Sequence, residues 1–267
     1  MKREFAILGI VIALGLGFLG GWFVPSPLVA PESTSLRDQI IANGELVVGT
    51  SADYPPFENF TYPYTGAIEG FDVEVAQLIA DNLGVTLTMV HLDFGNLISA
   101  CRAGTIDMIA AAMTYNEERA VSLAASITYI EVSQVVMVKE SSPLTTISSL
   151  GALGGLGLTI GCQTGTVMQD ELDALGNVTV NAYPSAVVLM TNLLSDTVDA
   201  AYVDEPVFTS YNRTEDLRII FSTGSEPFAF WTRYGEPEFL YVMNDVILNS
   251  FLDGTMYDLY DVWFGGA

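Results

Sequence analysis

Twice along this chain, short apolar strands alternate with helix-patterned segments, and that repeated order restricts the fold more than any other feature. The first unit reads as a strand over residues 46–50, a helix over 73–83 and a strand over 85–92, then a helix over 95–103 and a continuously buried strand over 106–113. Asp72 is expected to cap the first helix and Gly84 to stop it. After Pro143 the order begins again, with strands at 158–162, 178–182 and 198–203 and helices at 166–175 and 186–194. Residues 237–264 are mostly amphipathic helix. A β-α-β-α-β order is the pattern of a mainly parallel sheet, so two such units imply two α/β lobes and a crevice.

The N-terminus sets the compartment. Lys2 and Arg3 precede an uncharged apolar run over residues 5–24, long enough to cross a bilayer as a helix with its basic flank inside. A retained membrane anchor is expected there. The rival is a signal peptide cleaved near Ala30, but Pro31 would follow directly and no cysteine is available for lipid attachment. Residues 25–35 hold three prolines and read as a stiff tether, within a linker taken as 25–43. Both readings export the rest, and the sequons at Asn59, Asn177 and Asn212 fit an exterior location but also arise by chance.

Composition excludes several classes. The 267 residues carry 9 Lys and Arg against 32 Asp and Glu, and a net charge of -23 repels phosphate backbones, so no nucleic acid is expected. One histidine, His91, and two distant cysteines leave few ligands for a catalytic zinc, so neither metal nor cofactor is expected. Cys101 and Cys162 are expected to be buried free thiols, one in each lobe. High salt and low external pH both account for so acidic a surface.

In open parallel sheets ligands sit at the carboxyl ends of strands. The residues leaving the strands are Ser51, Asp53 and Tyr54; 91–96; 114–119; 163–166; and Asp204 with Glu205. Amides after Thr114 are expected to open a helix, and Arg119 beside them suits bidentate capture of a carboxylate, unless it is a surface residue paired with Glu117 or Glu118. Gly165 and Thr166 form a similar cradle or an ordinary glycine turn. Asp204 ends an apolar strand with no basic residue nearby, so its cation can belong to a ligand, unless it is a solvated loop acid. Tyr54 and Phe94 can sandwich a side chain or be plain core.

The segments LVVGTSADYPPFEN, GAIEGFDVEVAQLIADNLGV, DFGNLISACRAGTIDMIAAAMTYNEER, GCQTGT, VDAAYVDEPV and DGTMYDLYDVWFG run in order along the chain. Together they resemble the amino-acid-binding class (family 3) of extracellular solute-binding proteins of ABC transporters, over roughly residues 44–265. The resemblance implies a two-lobed periplasmic-binding-protein-like (type II) α/β fold with two hinge crossovers, near 132–138 and 224–228, preceded here by the transmembrane helix. Lobe 1 would comprise 44–135 and a return segment 226–267, and lobe 2 residues 136–225. Arg119 would grip a ligand α-carboxylate, helped by Thr114 and by the amide and hydroxyl of Thr166. Asp204 would accept the α-ammonium with carbonyl help near Ala112, and Tyr54 and Phe94 would pack the side chain. The implied partners are a free amino acid and an ABC permease, with the receptor a membrane-tethered monomer.

Departures from the pattern bear on the ligand. Ser51 stands where relatives of polar or cationic specificity often carry an acid, which removes one determinant for a basic ligand. Val167 replaces a second threonine of the Gly165-Thr166 turn but keeps its N–H. Glu58 and Glu205 are the remaining nearby acids. Two other functions compete: a cyclic-acid (prephenate- or arogenate-type) dehydratase on the same fold, for which Glu205 is the one candidate acid, and a sensory input domain, disfavoured because no signalling module is expected on the chain.

Overall fold

The computed structural model describes residues 34–61 and 66–265. In chain order the elements begin with α1 (Leu36–Asn43), β1 (Glu45–Thr50), β2 (Asp53–Tyr54), β3 (Glu58–Phe60), β4 (Ile68–Glu69), α2 (Phe71–Leu83), β5 (Thr86–His91) and α3 (Leu97–Ala103). Next come β6 (Met108–Ile109), α4 (Glu117–Ser122), β7 (Ala124–Ala125), β8 (Ile130–Lys139), β9 (Thr159–Gln163), α5 (Val167–Leu175) and β10 (Thr179–Tyr183). The chain finishes with α6 (Ala186–Leu194), β11 (Ala200–Asp204), α7 (Glu205–Tyr211), β12 (Leu217–Phe228), β13 (Trp231–Thr232), α8 (Pro237–Asp253) and α9 (Thr255–Trp263).

Two five-stranded sheets carry the two lobes, in the orders β5-β1-β6-β13-β7 and β10-β9-β11-β8-β12. In each, three neighbouring strands are parallel and the other two join antiparallel. Leu46 and Val48 of β1 are fully buried, as a strand covered by helices requires. α2 turns Phe71, Val75, Ala76, Ile79 and Ala80 inward and Glu74 and Asp81 outward, and Gly84 ends it in the left-handed region at φ 70°. α8 adds Phe239, Met243 and Ile247 to the same core, so the last helices return to lobe 1. One face of the first sheet is sealed by Phe94, Leu97, Cys101 and Trp231, and one face of the second by Ile160, Cys162, Leu172 and Tyr202.

The long strands β8 and β12 pair antiparallel from Ile130–Phe228 to Lys139–Leu217, with register breaks between Ile219 and Phe221 and between Ser222 and Ser225. Their lower ends are tied into lobe 1, where Thr114 bridges Phe228 and the Tyr115 N–H donates to the Pro227 carbonyl at 2.7 Å. Two adjacent strands thus pass between the lobes.

Several local expectations are corrected. Residues 36–43, taken into the linker, form α1, whose Leu36 and Ile40 are buried at i,i+4 spacing behind a Ser35 cap. Only Met108–Ile109 of the expected strand 106–113 joins a ladder, because Ala112 adopts φ 46° and turns the chain. Asp72 does not cap α2. Gly70 does, at φ 144°, where a Cβ would lie 2.0 Å from the Phe57 carbonyl oxygen, and Asp72 turns inward instead. Residues 5–24, the expected membrane-spanning helix, lie outside the described residues. Among the described residues, no helix is long and apolar enough to cross a membrane.

Candidate functional site

β1, β6, β9 and β11 end at one crevice between the sheets. There Tyr54, Phe94, Ala112, Thr114 and Arg119 from the first unit face Thr166, Val167 and Asp204 from the second, around a cavity of about 10 Å³. Ala111, Gln163 and Met168 complete its lining. Of the residues singled out from sequence, Ser51 and Gly165 do not line it. Ser51 donates its hydroxyl to Glu58 Oε1 at 3.0 Å, and Gly165 contributes its carbonyl to Arg119.

Arg119 is 6% exposed, and its guanidinium bonds backbone carbonyls rather than Glu117 or Glu118. The helix holding it starts at Glu117 rather than just after Thr114. Asn116 caps that helix by accepting from the Arg119 N–H at 2.8 Å, and the Tyr115 N–H donates to the Pro227 carbonyl, so these two of the amides after Thr114 are committed within the protein. The guanidinium donates from Nη1 to the Thr114 carbonyl at 2.7 Å and from Nη2 across the crevice to the Gly165 carbonyl at 3.1 Å. Its carbon lies 5.6 Å from the centre of the Phe94 ring. Burial lowers its pKa to about 10, which leaves it charged at neutral pH.

Asp204 is 2% exposed at the end of β11. Oδ2 accepts from the Tyr54 hydroxyl at 2.7 Å, whereas Oδ1 has no hydrogen-bond partner. Desolvation raises its pKa to about 7, against the lowering effect of the Tyr54 bond and the more distant Arg119 charge. A dry carboxylate with one free oxygen is costly unless a cation reaches it.

The second cradle uses its hydroxyl differently from the expectation. Thr166 donates its hydroxyl to the Gln163 carbonyl at 2.7 Å and caps α5 by accepting from the Gln169 N–H at 3.4 Å, so that proton is already committed. Val167 and Met168, in the first turn of α5, line the cavity, and their amides have no helix carbonyl to bond. Gly165 is held at φ 80°, and a Cβ there would sit 3.0 Å from Gly95 Cα in the opposite lobe.

Three buried acids were not assigned this surrounding from sequence. Asp72 accepts from the Ala112 N–H at 2.7 Å and from the Tyr129 hydroxyl at 2.8 and 2.9 Å, which pins the turned backbone at Ala112. Burial raises its pKa to about 7. Glu58, fully buried, keeps Oε2 without a partner, and burial with neighbouring Asp72 and Asp53 pushes its carboxyl far up. Asp53 accepts from groups of the other lobe, Gln163 Nε2 at 3.1 Å and the Ala186 N–H at 2.7 Å. Asp72 carried a helix-cap signal instead, and Asp53 no signal beyond its strand-end position. A wider groove of about 610 Å³ lies on the hinge side between β8, α7 and α9, but its acids Glu131 and Glu205 are exposed.

Residues 46–266 match the family described as bacterial extracellular solute-binding proteins, family 3. The arginine-binding extracellular protein ArtP of Bacillus subtilis (strain 168) is 29% identical over 175 residues, 64% of this chain and 66% of that protein. A mutant of ArgBP from T. maritima superposes with a TM-score of 0.80 at 30% identity, covering 86% of this chain and 99% of that one. The ancestral amino acid-binding protein AncCDT-1, a precursor of cyclohexadienyl dehydratase, gives a TM-score of 0.80 at 28% identity over 86% of this chain and 100% of its own. Matched from its first strand to its last helix, this chain belongs to the bacterial extracellular solute-binding proteins, family 3.

Proposed function

We propose that this protein captures a free amino acid between its lobes and delivers it to an ABC importer, as a monomer held at the outer face of the membrane by residues 5–24. The observation that carries the reading is Asp204 Oδ1, buried and unpartnered, across the cavity from a buried guanidinium of the other lobe. A zwitterion matches both. Its carboxylate would meet Arg119 and the amides of Val167 and Met168, its ammonium Asp204 and the Ala112 region, and its side chain Tyr54 and Phe94. Because the two charges belong to different lobes, such a ligand favours the closed arrangement over the open one.

A cavity of about 10 Å³ holds no more than a water, so the lobes must part for entry. The β8–β12 pair, with its break at Ser222–Ser225, supplies the hinge in this reading. The dehydratase reading loses Glu205, its candidate general acid. Glu205 is exposed and outside the cavity, so a binding protein without enzymatic activity is the better account.

Calorimetry of the purified chain against the twenty amino acids tests the proposal. At least one is expected to bind, and Arg119→Ala and Asp204→Ala are each expected to abolish binding. Undiminished affinity in both variants would reject the site.

A further inference from the structure

Asp53 belongs to lobe 1, yet the described bonds of its carboxylate to backbone and amide donors run to lobe 2. It is 7% exposed, and Oδ2 accepts from the Ala186 N–H at 2.7 Å and from Gln163 Nε2 at 3.1 Å. Ala186 is the first residue of α6, so the carboxylate sits at the positive end of a nine-residue helix already capped by the Ser185 side chain. The cavity is lined by Gln163 but not by Asp53. Asp53 therefore reaches the second lobe beside the ligand cavity, not through it.

We propose that Asp53 is a positioning residue for lobe closure: a carboxylate that latches β2 onto the start of α6 and fixes the Gln163 side chain at the cavity wall. When the lobes part, carboxylate, amide and Gln163 all return to water, so these bonds exist only in the closed form. They bias the open–closed equilibrium whichever ligand is bound, and apparent affinity scales with the closed fraction. The charge-assisted bond to an N–H that no helix carbonyl can satisfy makes this contact stronger than a neutral one. Asp53 thereby acts on affinity and residence time without touching the ligand. The inference rests on the closing-receptor reading above, and its test separates the two.

The experiment compares the full chain in detergent micelles with Asp53→Ala, Asp53→Asn and Ala186→Pro. Proline suits the first position of a helix and removes the N–H, and the preceding Ser185 is already extended at φ -142°, ψ 155°. Hydrogen exchange at the Ala186 amide is followed by NMR with and without a mixture of the twenty amino acids at about 1 mM each. In the condition that closes the lobes, that amide is expected to exchange roughly tenfold slower in the wild type than in Asp53→Ala, with Asp53→Asn between them. Bound amino acid, followed after rapid gel filtration, is expected to leave roughly tenfold faster from Asp53→Ala and from Ala186→Pro, and no faster from the double variant than from either. Equal exchange at Ala186 in wild type and Asp53→Ala, or additive losses in the double variant, would overturn the latch. If the wild type retains no amino acid, the receptor reading fails, while the exchange comparison still decides the latch.

Discussion

The Tyr54 hydroxyl donates to Asp204 Oδ2 at 2.7 Å across the crevice, and the Asp204 N–H donates back to the same phenol oxygen at 3.1 Å. Tyr54 therefore does more than pack. It holds Oδ2, so that Oδ1 alone is left without a hydrogen-bond partner.

From this follows a pair of opposed effects. Asp204→Asn is expected to weaken amino-acid binding by about 100-fold or more, since the ammonium loses its counter-charge. The same change is expected to stabilise the unliganded protein at neutral pH by about 1 kcal/mol or more, since a buried, half-satisfied charge is gone. Calorimetry and urea melts read the two separately. A variant that both binds well and melts earlier would contradict the role given to Asp204.

Affinity is expected to depend on pH in a defined direction. In the unliganded site, burial raises the Asp204 pKa from the usual 3.8 to about 7, whereas a bound ammonium pulls it down. Below pH 7 capture must expel a proton, so affinity falls about tenfold per pH unit and is flat just above 7. Calorimetry at pH 6 in buffers of different ionisation heat checks this, because the apparent enthalpy must track the buffer. The unliganded fold runs the opposite way. Asp72 and Asp204 bind protons more tightly folded than unfolded, so their contribution to stability is present below about pH 4 and is lost as pH rises through about 7.

For the proposed receptor, a ligand with a cationic side chain is expected, since its charge would draw the protons off nearby buried carboxyls. Asp53, Glu58 and Asp204 are all buried near the crevice, against Arg119 as the buried cation among the described residues. The acid absent at position 51 stands directly behind it, as Glu58 with one oxygen free. Arginine is expected to bind at least about tenfold more tightly than citrulline, which has nearly its shape without its charge. Glu58→Gln should shrink that ratio. Equal affinities for the two ligands would argue against a cationic preference.

Gly165→Ala is expected to loosen closure. The residue is held at φ 80° and its Cβ would meet Gly95 Cα at 3.0 Å across the crevice. Affinity should drop about tenfold, with a stability loss of about 1 kcal/mol from the backbone conformation. Dissociation kinetics against urea melts separate the two contributions.

Cys101 and Cys162 are buried free thiols in separate cores, each with its pKa pushed up to about 12 by burial. Alkylation by iodoacetamide should therefore be slow until the protein is unfolded, and reductant should leave the intact mass unchanged.

What could be read from sequence divides along the range of the interactions involved. Strand ends are local, so Arg119, Asp204, Tyr54 and Phe94 could be named from position, and helix 186–194 from its apolar run and Ser185 cap. Asp72 misled because an aspartate ahead of an apolar helix usually caps it. Here Gly70 takes that place under the Phe57 carbonyl and frees Asp72 to hold Ala112. The left-handed turn at Ala112 has no residue signal at all, since alanine rarely adopts it. Asp53 meets its partner 133 positions away, beyond any periodicity. α1 was legible in retrospect from Ser35, the Leu36–Ile40 spacing and Gly44, but the proline-rich stretch before it drew the boundary too far.

α1 is riveted to the first lobe by Leu36 and Ile40, and by the Leu36 N–H donating to Glu236 at 2.8 Å. The first helix of the described residues is thereby joined to α8, so one core clamps both ends of the described chain.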